Sequence, residues 1–207
     1  MSTITKVVQQ KNKNRANLYL DGKFAFGVSL EAIFKYGLKQ GKTLSWEEIA
    51  NLRSKGSEEK IYASAVNFAT VRPRSGKEIV DWFKRKGVDK EVSEKVFNQL
   101  KRLDLVDDKS FAKWWVESRT SFKFYSRKLL KFELKQKGVD QKIIDLVLEE
   151  TDVPSEIQLA KQALRKKVRD RVDFSEDDKR RLCGFLGRRG FSWSTIKRAV
   201  DEVFTKE

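Results

Sequence analysis

Three glycines, Gly87, Gly138 and Gly190, stand 51 and 52 residues apart, and the same ladder of apolar residues leads up to each. In register the segments read Ile79-Val-Asp-Trp-Phe83-Lys-Arg-Lys-Gly87-Val-Asp, Leu130-Lys-Phe-Glu-Leu134-Lys-Gln-Lys-Gly138-Val-Asp and Leu182-Cys-Gly-Phe-Leu186-Gly-Arg-Arg-Gly190-Phe-Ser. Apolar residues fall eight and four positions before the glycine, a helical spacing. Basic residues fill the last turn, where they complement the helix dipole. The glycine is the helix stop, because a left-handed residue costs Gly nothing and other residues roughly 1 to 2 kcal/mol. Val88, Val139 or Phe191 follows, then Asp89, Asp140 or Ser192, all suited to cap a next helix. Two helices meet at a tight corner three times over.

Downstream of each corner an apolar stripe recurs: Val92, Val96, Phe97 and Leu100; Ile143, Val147 and Leu148; Ile196, Ala199, Val200 and Val203. Upstream, a further helix carries an apolar residue followed by alanine, at Tyr62-Ala63, Phe111-Ala112 and Leu159-Ala160. The fold class expected is mainly α, with three tandem three-helix repeats over residues 58–103, 104–150 and 151–207. A unit of this size buries its own apolar face poorly, so neighbours are expected to stack into an elongated array.

Residues 1–57 form a different module. Arg15 to Leu20, then Asp21-Gly22, then Lys23 to Gly27 is a β-hairpin signal, because Asp-Gly suits a two-residue turn matched to strand twist. Ile4 to Gln10 offers a third strand, with Lys11-Asn-Lys-Asn14 as its turn. Helices are expected over Ser29 to Tyr36 and Ser45 to Arg53, the second opening with a Ser45-Trp-Glu-Glu48 capping box. Ser54-Lys-Gly-Ser57 reads as the linker to the repeats.

No apolar run approaches the length of a membrane span, and the start, Met1-Ser-Thr-Ile-Thr-Lys, lacks an apolar signal core, so a cytoplasmic protein without membrane contact is expected. With one cysteine and no histidine, disulfides, zinc sites built on Cys or His, and histidine acid–base chemistry are excluded. No phosphate-binding Gly-x-x-x-x-Gly-Lys-Ser/Thr loop is present. Asp107-Asp108 and Asp177-Asp178 resemble metal-binding pairs, but each stands at a helix start, where capping is the commoner role. No catalytic residue, metal or other cofactor is assigned, and an enzyme is not expected.

The net charge of +15, from 45 basic and 30 acidic residues, calls for an anionic partner. Lys179 to Arg198 holds seven basic residues and no acid; Lys161 to Arg171 holds six against one; Arg119 to Lys142 holds eight against two. One such run is often only a solvated helix face, but recurrence at similar points of a repeat favours a basic surface. The candidate partner-binding residues are Arg72, Arg74, Arg119, Lys123, Arg127, Lys128, Arg165, Lys166, Lys167, Arg180, Arg181, Arg188 and Arg189. Trp114-Trp115, with Phe122, Phe124 and Tyr125, reads either as core or as a base-stacking platform. Arg72 and Arg74 in Val71-Arg-Pro-Arg-Ser75 face solvent or a partner, with Ser75 an N-cap.

Arg72-Pro-Arg-Ser75 through Glu78-Ile79, Leu103-Asp-Leu-Val-Asp-Asp108 leading to Phe111-Ala112 and Arg119, Glu133-Leu134 to Lys137-Gly138, and Arg189-Gly-Phe191 resemble the RecX family of bacterial recombination regulators. The likeness covers about residues 58–204, and the hairpin module is similar to the extension of longer members. Where members often carry glycine before the middle helix of the second repeat, this chain has Phe124-Tyr-Ser126. The resemblance implies a non-enzymatic protein that binds the RecA filament along its groove and lowers its ATPase and strand-exchange activities. A monomer is expected, with single- or double-stranded DNA as a further partner. The alternative is a direct nucleic-acid-binding helical-repeat protein.

Overall fold

The computed structural model describes residues 1–11, 13–169 and 174–204. Asn12 of the expected turn, and Asp170 and Arg171 at the end of one basic run, lie outside them. The chain divides into two compact units, Met1–Val71 with Phe83–Arg102 and Arg72–Trp82 with Leu103–Glu207.

In the first unit, β1 (Ser2–Gln9), β2 (Arg15–Leu20), β3 (Lys23–Ser29) and the short β4 (Thr43–Leu44) form an antiparallel sheet in the order β3-β2-β1-β4. The turn between β2 and β3 has φ of 47° at Asp21 and 82° at Gly22, the paired positive values that match strand twist. α1 (Leu30–Tyr36) is capped by Ser29, and α2 (Trp46–Thr70) opens with the Ser45–Glu48 capping box. Ile4, Leu18, Val28, Leu38 and Leu44 are buried between sheet and helices with Ile49 and Leu52 of α2.

The expected linker at Ser54-Lys-Gly-Ser57 is instead the interior of α2, a 25-residue helix. Gly56 explains it. A Cβ there would stand 2.4 Å from the Gly27 carbonyl oxygen, so glycine is what lets the helix lie against β3. Arg15 donates to both carbonyls, Gly27 at 3.0 Å and Gly56 at 2.8 Å, tying the approach. One face of α2 carries Ile49, Leu52 and Gly56; with 3.6 residues per turn the opposite face carries Ala65 and Ala69, both buried. Ala63 falls on the sheet-facing side and is exposed, so the Tyr62-Ala63 equivalence with the later repeats fails. α4 (Lys90–Arg102), which buries Val96 and Leu100, packs on α2 in the same unit.

α3 (Gly76–Arg85) contains the division between the units. The second unit continues with α5 (Asp108–Phe122), α6 (Arg127–Gln136) and α7 (Gln141–Glu150), then α8 (Glu156–Val168), α9 (Glu176–Gly187) and α10 (Trp193–Phe204). Phe111-Ala112 and Leu159-Ala160 are fully buried here, with Leu130, Leu134, Ile144 and Leu186. The mainly helical, three-times-repeated fold expected from the sequence is present, together with its small strand module.

All three corners are built alike. Gly87, Gly138 and Gly190 have φ of 63°, 78° and 84°. Each glycine N–H donates three residues back, to Lys84, Lys135 and Gly187, and the following residue donates five back, to Phe83, Leu134 and Leu186. These bonds satisfy carbonyls the helix end leaves unpaired. Asp107 caps α5 by accepting from Lys109, Asp108 accepts from the Gly76 N–H, and Asp178 completes a capping box with Ser175, so both acidic pairs serve helix ends. Among the described residues no helix is long and apolar enough to cross a membrane.

Candidate functional site: a basic and aromatic surface

The last turn of α5 leads through Lys123 into Phe124, whose φ of 54° is left-handed. Here a phenylalanine rather than a glycine takes the left-handed conformation. Phe124 packs on the core with its ring under Lys166, whose Nζ is 5.5 Å from the ring centre. The same Nζ donates to the Phe122 carbonyl at 3.1 Å, joining the end of α8 to the end of α5. Arg189, at the third corner, donates to the Lys123 carbonyl at 2.8 Å and lies flat on Phe185 of α9, 3.8 Å from the ring centre. Lys167 reaches the same ring at 5.8 Å.

Three helix ends thereby bring Lys123, Lys166, Lys167 and Arg189 together, with exposed Arg188 next to Arg189. Burial lowers Arg189 from its ordinary value, and an arginine stays charged all the same. Phe122, 70% exposed, stands at the rim. Guanidinium and ammonium groups over aromatic faces keep their charge while their stems are held, an arrangement suited to phosphate or carboxylate.

The remaining candidates are dispersed. Arg72 pairs with Glu78 through both of its terminal nitrogens, at 2.9 and 3.0 Å, and lies over Trp114. Arg119 stacks 3.9 Å above Trp115, and both donate to Glu133, at 3.0 and 2.8 Å. These two arginines are matched by carboxylates within the fold. Trp115 is buried, so it takes the core role rather than that of an open stacking platform. Arg127 donates to the Leu148 carbonyl, bracing α6 against the end of α7. Arg165 shares an open cleft with Glu117, Phe124 and Asp152, where acids offset its charge. Arg180 and Arg181 lie exposed on α9, Arg180 beside Asp177 at 3.6 Å. Lys128 is exposed on α6, and Arg74 is half-buried before α3. Phe185 was not among the sequence-level candidates; no local signal marks it, since its cations come from α8 and from the corner beyond α9.

Comparison with known proteins agrees with this architecture. Residues 2–45 match the regulatory protein RecX N-terminal domain, 107–148 the second three-helix domain of RecX, and 155–200 the third. A regulatory protein RecX of Bacillus pumilus is 31% identical over 99% of this chain and 78% of its own length. One of Clostridium tetani is 28% identical over 98% of this chain and 95% of its own. A crystal structure of regulatory protein RecX superimposes with a TM-score of 0.62 at 28% identity, covering all of both chains. A crystal structure of RecX from Lactobacillus salivarius gives 0.54 at 25% identity over 70% of this chain and 96% of the other. With its amino-terminal domain, two of its three-helix domains and nearly its whole length matched, this chain belongs to the RecX family of regulatory proteins.

Proposed function

We propose that this protein regulates the RecA recombinase by binding its nucleoprotein filament, and that the Lys123, Lys166, Lys167 and Arg189 surface is a contact. Family membership supports the regulatory role. The observation that carries the contact is the convergence of these cations, from three separate helix ends, around exposed and half-buried aromatic rings. A filament groove lined by acidic side chains and phosphate is an anionic track, and a protein occupying it blocks subunit rearrangement without performing chemistry.

Direct binding to single-stranded nucleic acid is the second reading, favoured by exposed Phe122 beside Lys123 and Lys166. Titration into RecA-catalysed, single-strand-dependent ATP hydrolysis separates the two. Filament binding predicts inhibition far below one copy per nucleotide that survives excess free single-stranded DNA; sequestration predicts inhibition that the excess DNA abolishes. Lys123→Gln with Lys167→Gln is the informative variant, because among the described residues neither side chain closes a hydrogen bond. It is expected to keep its melting temperature and inhibit several-fold less, each lost exposed charge contact contributing up to about 1 kcal/mol. Unchanged inhibition removes this surface from the proposal.

A further inference from the structure

The repeats are joined by one device used twice. At the first joint Ser75, the fully buried cap of α3, donates its hydroxyl to the Lys137 carbonyl at 2.8 Å, directly before Gly138. Glu78, three residues after that serine, pairs with Lys137 at 2.7 Å. At the second joint Ser126, the fully buried cap of α6, donates its N–H to the Arg189 carbonyl at 3.1 Å, directly before Gly190. In both, the serine cap of one repeat's middle helix seats on the glycine corner of the next. Both corners are closed tightly. A Cβ on Gly138 would lie 2.7 Å from the Lys77 Cβ, and one on Gly190 2.5 Å from the Ser126 hydroxyl.

One half of this device is left over at each end of the series. Ser175, the corresponding cap of α9, is exposed. Gly87, the corresponding corner of α3, has nothing within 4 Å of where a Cβ would be, and Val88 beyond it is only half-buried where Val139 and Phe191 are buried. The two ends carry opposite charge. Glu176, Asp177 and Asp178 open α9, and Lys84, Arg85 and Lys86 lead into Gly87, so Asp178 and Lys86 occupy the places that Glu78 and Lys137 fill at the first joint.

We propose that two copies of this chain associate head to tail, the Ser175 end of α9 in one seating on the Lys86–Gly87 corner of the other. The contact repeats between chains the joint already made twice within one, and its like-unlike geometry is that of a heterologous interface. It is small and charge-assisted, hence weak and sensitive to salt. The local pairs now made by Glu176 with Lys179 and Asp177 with Arg180 are exposed and hold these acids only loosely. This association is separate from RecA regulation, and its test involves no RecA.

Sedimentation velocity of the full chain at low salt is the measurement, over about 10 μM to 1 mM, the range of weak protein contacts. The weight-average sedimentation coefficient is expected to rise with concentration and to fall back as salt is added. Lys84→Glu with Lys86→Glu, and separately Glu176→Lys with Asp177→Lys, leave Ser175 and its capping partner Asp178 in place. Each pair alone is expected to weaken association at least about tenfold, because like charges then face each other. An equimolar mixture of the two variants is expected to recover association between unlike chains, because the unaltered acidic α9 end of one can seat on the unaltered basic corner of the other, with unchanged melting temperatures attesting to folding. A wild-type chain that stays monomeric throughout overturns the proposal. So does association that survives both variants, or a mixture that fails to recover.

Discussion

Glu78 holds two cations at once, Arg72 at 2.9 Å and Lys137 at 2.7 Å. Burial pushes its carboxyl up, but the hydrogen-bonded pairs with Arg72 and Lys137 outweigh burial and hold it below the ordinary carboxylate value. A carboxyl depressed in the folded state contributes stability that is fully present above its unfolded value and is lost as pH falls through its folded value. Glu78→Gln is therefore expected to destabilise by about 1 to 2 kcal/mol near pH 7, the scale of charge-assisted hydrogen bonds. Its deficit against the native chain shrinks as pH falls from about 7 through the ordinary carboxylate range of about 4 and on through the lower folded-state value. Urea denaturation at both ends of that range checks this, and a deficit that does not change with pH counts against it. Glu202, held to about 2 by hydrogen bonds from Lys161 and Arg198, stays ionised across the same window and links α8 to α10. At Phe124 a left-handed φ costs an L residue about 1 kcal/mol, offset by packing of the ring on the core and under Lys166.

Among elements, the three helix corners are alike in backbone and unlike in surroundings. Alanine at Gly87 meets no neighbour and suffers only the left-handed strain, about 1 kcal/mol. Alanine at Gly138 or Gly190 adds a clash with the first turn of the preceding repeat's middle helix, at Lys77 or at Ser126 and Leu129. Those two variants are expected to lose roughly 2 to 4 kcal/mol, strain and overpacking together. Denaturant midpoints of the three alanine variants give the order directly; equal losses would show that the corners are not packed as described. The same logic of close approach governs α2, whose Gly56 lies against Gly27 and so makes a single helix of what composition alone marks as a linker.

For the whole molecule, residues Arg72–Trp82 belong with the repeats that follow rather than with α4. Their Ser75, Glu78 and Arg72 cover Lys137 and Trp114. A fragment beginning at residue 103 is therefore expected to melt lower than one beginning at residue 72, by on the order of 5 °C for each kcal/mol of contact removed. Thermal unfolding of the two fragments checks this, and equal melting temperatures would refute that assignment. The helix stripes, the Ser and Asp caps, the Asp21-Gly22 turn and the left-handed glycines are legible in the chain residue by residue. Each depends on residues within a turn or two of one another, where backbone sterics and periodicity act without knowledge of the rest. Tertiary structure alone decided which arginines answer carboxylates, as Arg72 and Arg119 do, and which stand over rings at a surface, as Arg189 does over Phe185. It also decided that Gly87 is the open corner, though the same apolar ladder leads up to all three glycines and Gly87 and Gly138 share the same Lys-Gly-Val-Asp context. Burial, ion pairing and close approach depend on which groups meet across tens of residues, and that meeting is a property of packing rather than of any local segment.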